Sequence, residues 1–260
     1  LLVDNDVQGN ASTAFGITID KELNGDKFTL VELMTKIYED NFEKDLKNSL
    51  VNININQYFS NELKGSLDIL PNSPNSIYLA EDLPSYSREL GTMENVLKKV
   101  LEAIKDNYDY IIIDMPPRAD LFLRMSIMAS DYLIFSLTPT VFSDKGIPSL
   151  MIPIQKQQQI YKKENNKEFI ILGAINSKTK ANINTQSIIS ENSNDQIKRL
   201  IGDENKLFKT SIAEASVVED SQTGNGSVLF YKPTEKTVKL YFELTLEILE
   251  RIYTLEMLRK

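Results

Sequence analysis

Two short segments of this 260-residue chain place carboxylates where an apolar strand ends. Residues 1–10 read Leu-Leu-Val-Asp-Asn-Asp-Val-Gln-Gly-Asn, so Asp4 and Asp6 follow an apolar run and precede a Gln-Gly-Asn turn. Residues 110–117 read Tyr-Ile-Ile-Ile-Asp-Met-Pro-Pro, and Asp114 ends the second run. Two buried strands that deliver carboxylates to the carboxyl edge of an open α/β sheet are typical of metal–phosphate sites. The pattern therefore predicts Mg²⁺-dependent phosphate chemistry.

The three carboxylates are expected to share one site. Asp4 and Asp6 are two residues apart, so both side chains point to the same face if the strand continues. Asp114 follows three isoleucines, where an unpaired carboxylate is costly unless a cation or hydrogen-bond donors meet it. Mg²⁺ keeps several waters and binds through one or two carboxylates plus substrate phosphates, which suits Asp4 and Asp114 as metal ligands acting through waters. The alternative is that Asp4 and Asp114 only cap neighbouring helices.

The composition removes several classes of chemistry. The chain contains no Cys and no His. Disulfides, thiolate zinc sites, Ser-His-Asp or Cys-His hydrolysis and most transition-metal sites are therefore excluded. No apolar run is long enough to span a bilayer and no secretory leader is recognisable, so we expect a cytoplasmic protein with no membrane partner.

The charge of the chain is unevenly distributed. The net charge of −8 argues against a uniformly basic nucleic-acid binder. Residues 156–209, however, carry ten bases and six acids, hence a net charge of +4, and the rest of the chain carries −12. This asymmetry allows one weakly basic face, and the alternative is an ordinary solvated helix surface.

The elements that must position the carboxylates alternate between strands and helices. Apolar runs predict strands at residues 1–3, 67–70, 110–114, 132–137 and 169–175. Apolar residues at helical spacing predict helices at residues 29–38, 92–105, 121–129, 147–161 and 234–258. A further helix, mostly polar, is predicted at residues 183–201. This alternation predicts an α/β fold with a doubly wound, mostly parallel sheet flanked by helices. Because no repeat or linker is present, we predict a single domain over residues 1–260.

Three local signals make sharper structural predictions. Thr29 and Glu32 have the spacing of a capping box at the start of a helix. Apolar residues alternate with Asn over residues 51–55, as in an edge strand. The helix predicted at 147–161 is expected to be interrupted near Pro148 and Pro153.

The acidic segments resemble those of the ParA/MinD group of P-loop ATPases, and the ParA partition proteins most closely. Residues 4–10 look like the second acidic motif of that group, Asp-x-Asp-Pro-Gln-Gly-Asn, with Val7 in place of the usual Pro. Residues 110–117 look like its Walker B strand with the Pro-Pro ending. The resemblance covers nearly the whole chain and implies a P-loop NTPase-like fold, with a divergent insert over residues 20–67.

The resemblance implies roles in ATP and Mg²⁺ binding for several residues. Asp6 would position or activate the water that attacks the γ-phosphate, and Asp114 would be the Walker B acid. Pro116 and Pro117 would belong to a switch that responds to the γ-phosphate, with a rigid turn as the alternative. Asn176 would contact the adenine edge, although a lone Asn at a strand end is also a common turn former.

The resemblance also implies partners. The protein would form an ATP-dependent homodimer, bind DNA non-specifically at the nucleoid, and be stimulated by a ParB-like DNA-binding adaptor. The candidate DNA-contacting residues are Lys178, Lys180, Lys198, Arg199 and Lys206. Two other functions stay open. The second choice is a non-hydrolysing regulatory or scaffold protein of the same group, and the third is a metabolic synthase or reductase.

One expected motif does not occur in these 260 residues: a Gly-rich loop that ends in Lys-Ser/Thr. Such a loop supplies the backbone amides and the Lys that cradle the phosphates. We expect it in a strand–loop–helix unit of roughly thirty residues ahead of Leu1, which would make the sequence N-terminally truncated. The alternative is a pseudo-ATPase. ATP hydrolysis is expected of the full-length protein and not of residues 1–260 alone.

Overall fold

The chain divides into two compact units, residues 1–130 with 221–231 and residues 131–220 with 232–260. The single domain over residues 1–260 stays a prediction. The computed structural model describes residues 1–19, 26–58, 65–116, 118–137, 146–166, 169–179, 206–222 and 226–258. For residues 146–150 and 178–179 it describes the backbone alone.

A four-stranded sheet organises the first unit. Its strands are β1 (Leu2–Asp4), β2 (Val51–Ile53), β3 (Leu67–Leu70) and β4 (Ile112–Asp114). The strand order is β2-β3-β1-β4, and every pair is parallel except β2 with β3. Because β1 lies between two neighbours, its Val3 is fully buried. Asp4 and Asp114 are register partners, so the two sequence motifs end side by side.

Helices and short turns cover this sheet. The helices are α1 (Asn10–Ala14), α2 (Leu30–Thr35), α3 (Phe42–Ser49), α4 (Ile77–Asp82), α5 (Ser87–Leu90), α6 (Val96–Glu102) and α7 (Leu121–Ala129). Single 3₁₀ turns occupy Ile55–Tyr58, Pro74–Ser76, Leu83–Tyr86, Met93–Asn95 and Lys105–Asn107. Leu33, Leu97 and Met125, one each from α2, α6 and α7, are fully buried in one apolar core with β1. Burial of each such side chain contributes about 1.5–3 kcal/mol.

Two of the local predictions in this unit are confirmed and one is partly wrong. Thr29 and Glu32 form the predicted capping box at the start of α2. β2 is the predicted edge strand, although it ends at Ile53 and Ile55 already begins a 3₁₀ turn. The strand predicted as buried at residues 110–114 is β4, yet its Ile112 is 65% exposed. Among the described strands β4 pairs only with β1, so it lies at a sheet edge where one flank is uncovered.

The second unit contains a three-stranded parallel sheet. Its strands are β5 (Tyr132–Leu137), β6 (Ile170–Thr179) and β7 (Ile212–Ala213), in the order β5-β6-β7. The helices of this part of the chain are α8 (Gly146–Asn165), α9 (Ser216–Ser221), α10 (Val228–Tyr231, in the first unit) and α11 (Lys236–Leu258). In the described ranges, none of the helices is both long and apolar enough to cross a membrane. The α/β class with a mostly parallel sheet is thus confirmed.

The predicted interruption of the helix at 147–161 is wrong. α8 continues through Pro153 for 20 residues. A proline inside a helix removes one backbone hydrogen bond, and the turns on both sides of Pro153 keep theirs. The helix predicted at 183–201 lies outside the described residues.

Arg251 on α11 ties the chain before β7 to β6. Its guanidinium donates to the carbonyl oxygens of Leu172 at 3.2 Å, Lys206 at 3.0 Å and Leu207 at 2.7 Å. It also donates to the Glu247 carboxylate at 3.1 Å. Arginine has five donors in a planar arrangement, which lets one side chain serve several acceptors at once.

Residues 221–231 return to the first unit and contact the end of α1. The Gly226 N–H donates to the Ala14 carbonyl oxygen at 2.6 Å. Gly226 has φ +76°, and a Cβ there would lie 2.8 Å from the Phe15 ring, so only glycine fits without strain. The rings of Phe15 and Phe230 meet edge to face with centroids 6.2 Å apart.

Candidate functional site

The three predicted carboxylates lie at the carboxyl ends of β1 and β4. Asp4 and Asp114 are adjacent across the two strands, and the Asn5 N–H donates to the Asp114 carbonyl oxygen at 2.9 Å. The Asp6 N–H approaches Asp4 Oδ1 at 3.4 Å. We call Asp4, Asp6 and Asp114 the acidic edge.

Asp4 is a fully buried carboxylate with most of its hydrogen bonds on one oxygen. Ser12 donates to Asp4 Oδ2 from its N–H at 2.8 Å and from its hydroxyl at 2.6 Å. Burial raises the pKa of Asp4, and the Ser12 hydrogen bonds oppose that rise. Ser12 Oγ in turn accepts the Asn72 N–H at 3.0 Å. Asp4 is thus held in place from inside the protein.

The turn after β1 holds Asp6 at the surface of the site. Asp6 Oδ1 accepts the Gln8 N–H at 3.0 Å, and the Asp6 carbonyl oxygen accepts the Gly9 N–H at 2.9 Å. Gly9 has φ +65°, and a Cβ there would lie 2.9 Å from the Asn72 carbonyl oxygen. Both facts require glycine at this position. The turn therefore packs directly against the chain that follows β3.

Asp114 has a carboxyl group with a raised pKa. Its side chain reaches solvent, yet the surrounding protein atoms remove enough hydration to raise its pKa. The negative charges of Asp4 and Asp6 add to that effect, and together they bring the pKa of Asp114 to about 6. A divalent cation at this edge would relieve the repulsion among the three carboxylates.

The donor set of the acidic edge fits Mg²⁺ and not a softer metal. Its side-chain donors are hard carboxylate oxygens, which Mg²⁺ prefers. Across the described ranges, no group of three or more His, Cys, Asp or Glu side chains is arranged to hold a metal. An ion at the acidic edge would therefore take its remaining ligands from water and phosphate, as Mg²⁺ does.

The raised pKa of Asp114 predicts a pH-dependent stability difference. A carboxyl group whose pKa rises from 3.8 to about 6 on folding favours unfolding as the pH increases through that window. Asp114→Asn should therefore raise the unfolding temperature of the metal-free protein at pH 7, and the difference should shrink at pH 5. Thermal unfolding in EDTA at both pH values measures it. Asp106→Asn, at an exposed position, is the control and should match the natural chain at both pH values. A lower unfolding temperature for Asp114→Asn at pH 7 would contradict the electrostatic account.

Of the residues predicted to contact adenine or to form the switch, the structure describes Asn176 and Pro116. Asn176 lies on β6 in the second unit, is 7% exposed, and its Oδ1 has no hydrogen-bond partner in the described part of the chain. Pro116 lies two residues beyond the end of β4. Pro117 lies outside the described residues. The adenine and switch roles stay predictions.

The basic residues predicted to contact DNA are mostly outside the described structure. Lys180, Lys198 and Arg199 are not among the described residues, and only the backbone of Lys178 is described, within β6. The Lys206 ammonium donates to the Ile171 carbonyl oxygen at 2.9 Å. That hydrogen bond competes with a phosphate contact by Lys206, whose DNA role stays a prediction.

The sequence analysis missed three residues that support the acidic edge. Ser12 and Asn72 form the hydrogen bonds behind Asp4. Asn5 Nδ2 donates to the Phe122 carbonyl oxygen at 3.0 Å and to Ser126 Oγ at 2.8 Å, which joins the end of β1 to α7. The signals available were a hydroxyl eight residues after Asp4 and polar residues at buried strand ends.

Sequence comparisons place these features in a known family. The model of the AAA domain family matches residues 1–171. The sporulation initiation inhibitor protein Soj of Bacillus subtilis is 27% identical over 252 residues, which cover 95% of this chain and 85% of Soj. The virulence plasmid ParA family protein pGP5-D of Chlamydia psittaci is 27% identical over 258 residues, covering 99% of this chain and 85% of that protein. The chain belongs to the ParA/MinD type of P-loop ATPases.

Solved structures share the fold of this ParA/MinD-type chain. A single-substitution variant of McdA from Cyanothece in complex with ATP has a TM-score of 0.68 at 21% identity, covering 95% of this chain and 84% of that protein. The septum site-determining protein MinD from Pyrococcus horikoshii in complex with Mg-ADP has a TM-score of 0.57 at 17% identity, covering 100% of this chain and 85% of MinD. The predicted P-loop NTPase-like fold is confirmed.

Proposed function

We propose that this ParA/MinD-type protein is a Mg-ATP-dependent partition or positioning ATPase. The observation that carries the proposal is the acidic edge, where Asp4 and Asp114 adjoin at the ends of parallel strands and Asp6 follows on the same turn. Relatives solved with ATP or Mg-ADP and a ParA family plasmid protein support the nucleotide and the cellular role. The P-loop expected ahead of Leu1 stays a prediction, so the tests use the protein expressed from its complete gene.

Each residue of the acidic edge has a proposed task. Asp4 and Asp114 would hold the Mg²⁺, which would supply charge neutralisation at the phosphate oxygens. Asp6 orients the attacking water and accepts its hydrogen bond. The Gln8 N–H donates to Asp6 Oδ1, which holds this carboxylate in place. Asn176, whose buried Oδ1 has no protein partner in the described ranges, is the proposed acceptor for an N–H of the adenine edge.

The proposed cycle needs a second subunit, DNA and an adaptor. ATP binding closes a homodimer, the dimer binds DNA without sequence preference, and a ParB-like DNA-binding protein stimulates hydrolysis and release. The net charge of +4 over residues 156–209 supports a DNA-facing surface there, against −12 on the rest of the chain. The decisive experiment measures Mg²⁺-dependent phosphate release with and without DNA. ATP binding without any turnover would favour the scaffold alternative.

Reversing two basic charges should weaken DNA binding without changing basal ATP hydrolysis. In Lys198→Glu/Arg199→Glu, each subunit has two fewer cations that could neutralise DNA phosphates. The slope of log affinity against log salt should fall by about 1 for each phosphate that is no longer neutralised. Filter or fluorescence binding to random-sequence DNA across a salt series, with ATP present, measures this.

A matched double reversal tests whether position matters more than net charge. Lys44→Glu/Lys47→Glu changes the same number of charges at exposed positions of α3. It should keep the salt dependence of the natural protein. Equal DNA affinity in both double variants would remove residues 198 and 199 from the DNA surface.

A further inference from the structure

A buried hydrogen-bond chain lies behind Asp4. The Asn72 N–H donates to Ser12 Oγ at 3.0 Å, and the Ser12 hydroxyl donates to Asp4 Oδ2 at 2.6 Å. Asp4, Ser12 and Asn72 are 0%, 1% and 2% exposed. Because water does not compete at this depth, each bond holds its partner in one orientation.

The two carboxylate oxygens of Asp4 differ in the hydrogen bonds that they accept. Oδ2 accepts both the N–H and the hydroxyl of Ser12, and both donors lie on α1. In the described part of the structure, Oδ1 accepts only the long 3.4 Å bond from the Asp6 N–H. Two donors on one oxygen fix the rotation of the carboxylate, and Oδ1 keeps only the weaker hydrogen bond, on the side of Asp6.

Asn72 connects this orientation to a second strand. It follows β3, and its carbonyl oxygen packs against Gly9, the residue just before α1, where a Cβ would come within 2.9 Å. Ser12 therefore receives a hydrogen bond from the β3 side and gives one to the β1 side. A shift of the chain after β3 would move the Ser12 hydroxyl and, through it, Asp4.

We propose that Ser12 is a positioning residue for the metal site. It holds the Asp4 carboxylate in one orientation for that site, and it ties the orientation to Asn72. Groups that orient metal-binding side chains from behind affect metal affinity strongly, although they never touch the ion. This inference rests on the proposed function, since it takes Asp4 to be a metal-binding residue.

Metal affinity in defined variants tests the proposal. Mn²⁺ binding to the ATP-loaded protein, followed by the loss of the free-ion paramagnetic resonance signal, should weaken 10- to 100-fold, an order-of-magnitude range, in Ser12→Ala. Ser12→Thr keeps the hydroxyl and should bind Mn²⁺ like the natural protein. Ser49→Ala is the matched control: Ser49 is fully buried, donates to the Asp45 carbonyl oxygen at 2.7 Å and accepts the Phe28 N–H at 2.9 Å. It should leave Mn²⁺ affinity unchanged.

Amide hydrogen exchange gives a readout that needs no metal or nucleotide. In Ser12→Ala the Asn72 N–H loses its acceptor and should exchange faster, whereas Ser49→Ala should not change it. Unchanged exchange at Asn72, equal Mn²⁺ affinity in Ser12→Ala, or equal loss in Ser12→Ala and Ser12→Thr would each overturn this proposal alone. If the natural protein binds no Mn²⁺ with ATP present, the proposed function itself fails.

Discussion

Asp6→Asn is expected to lower ATP turnover by about 10²- to 10⁴-fold, the usual contribution of a positioned acid–base group, while ATP binding is kept. Asparagine still accepts the Gln8 N–H through its side-chain oxygen, so the turn after β1 stays intact. Its amide lacks the charge needed to orient and polarise the attacking water. Asp6→Ala should show the same loss of turnover and, in addition, lose the turn hydrogen bond. Phosphate release at saturating ATP, together with calorimetric ATP binding, separates the two effects.

The control for this prediction is a carboxylate of the same type away from the site. Asp106→Asn removes an exposed charge and should hydrolyse ATP at the natural rate. If Asp6→Asn also turned over at the natural rate, Asp6 would not be the water-positioning group, and the proposed mechanism would need another residue.

Gly173→Ala is expected to destabilise the second unit by about 1–3 kcal/mol, the usual cost of overpacking a well-packed interior. A Cβ at Gly173 would lie 2.3 Å from the Lys206 carbonyl oxygen and 2.7 Å from Arg251 Nη1. The carbonyl belongs to the backbone and cannot rotate away. The added methyl group would therefore disrupt the hydrogen bonds from Arg251 to the carbonyl oxygens of Leu172 and Lys206. Urea unfolding followed by circular dichroism measures the loss.

A second glycine provides the comparison for this stability effect. Among the described residues, the nearest contact of a Cβ at Gly65 would be Ile55 Cδ1 at 4.0 Å, an ordinary van der Waals distance. Gly65→Ala should change the free energy of unfolding by less than about 0.5 kcal/mol. If Gly173→Ala unfolded at the same urea concentration as Gly65→Ala, β6 and the chain around Lys206 would be less tightly packed than the structure indicates.

Features that depend on neighbours in sequence were predictable. The capping box of Thr29 and Glu32 involves residues three apart, and the alternation at residues 51–55 reflects one exposed face of an edge strand. The carboxylates of Asp4 and Asp114 could be placed together because parallel strands end at the same edge of a sheet. Each inference used only local pattern and strand direction.

Features that depend on distant parts of the chain were not predictable in the same way. Ser12 and Asn72 are 60 residues apart, and Arg251 reaches a carbonyl 79 residues away. Nothing in the local sequence of either partner specifies the other. The exposure of Ile112 follows from the place of β4 in the strand order, since a run of three isoleucines reads the same in an edge strand and a central one.

Because residues 221–231 belong to the first unit, that unit can be completed only after the intervening residues have been synthesised. A ribosome delivers the chain from its beginning, so the partners of Ala14 and Phe15 emerge only after residues 131–220 have been translated. Until then the end of α1, the helix that carries Ser12, lacks both the Gly226 hydrogen bond and the Phe230 ring. A nascent chain that stalls at residue 130 would contain every carboxylate of the acidic edge and still lack these two contacts. The contacts at the end of α1 can therefore form only after Phe230 has been synthesised.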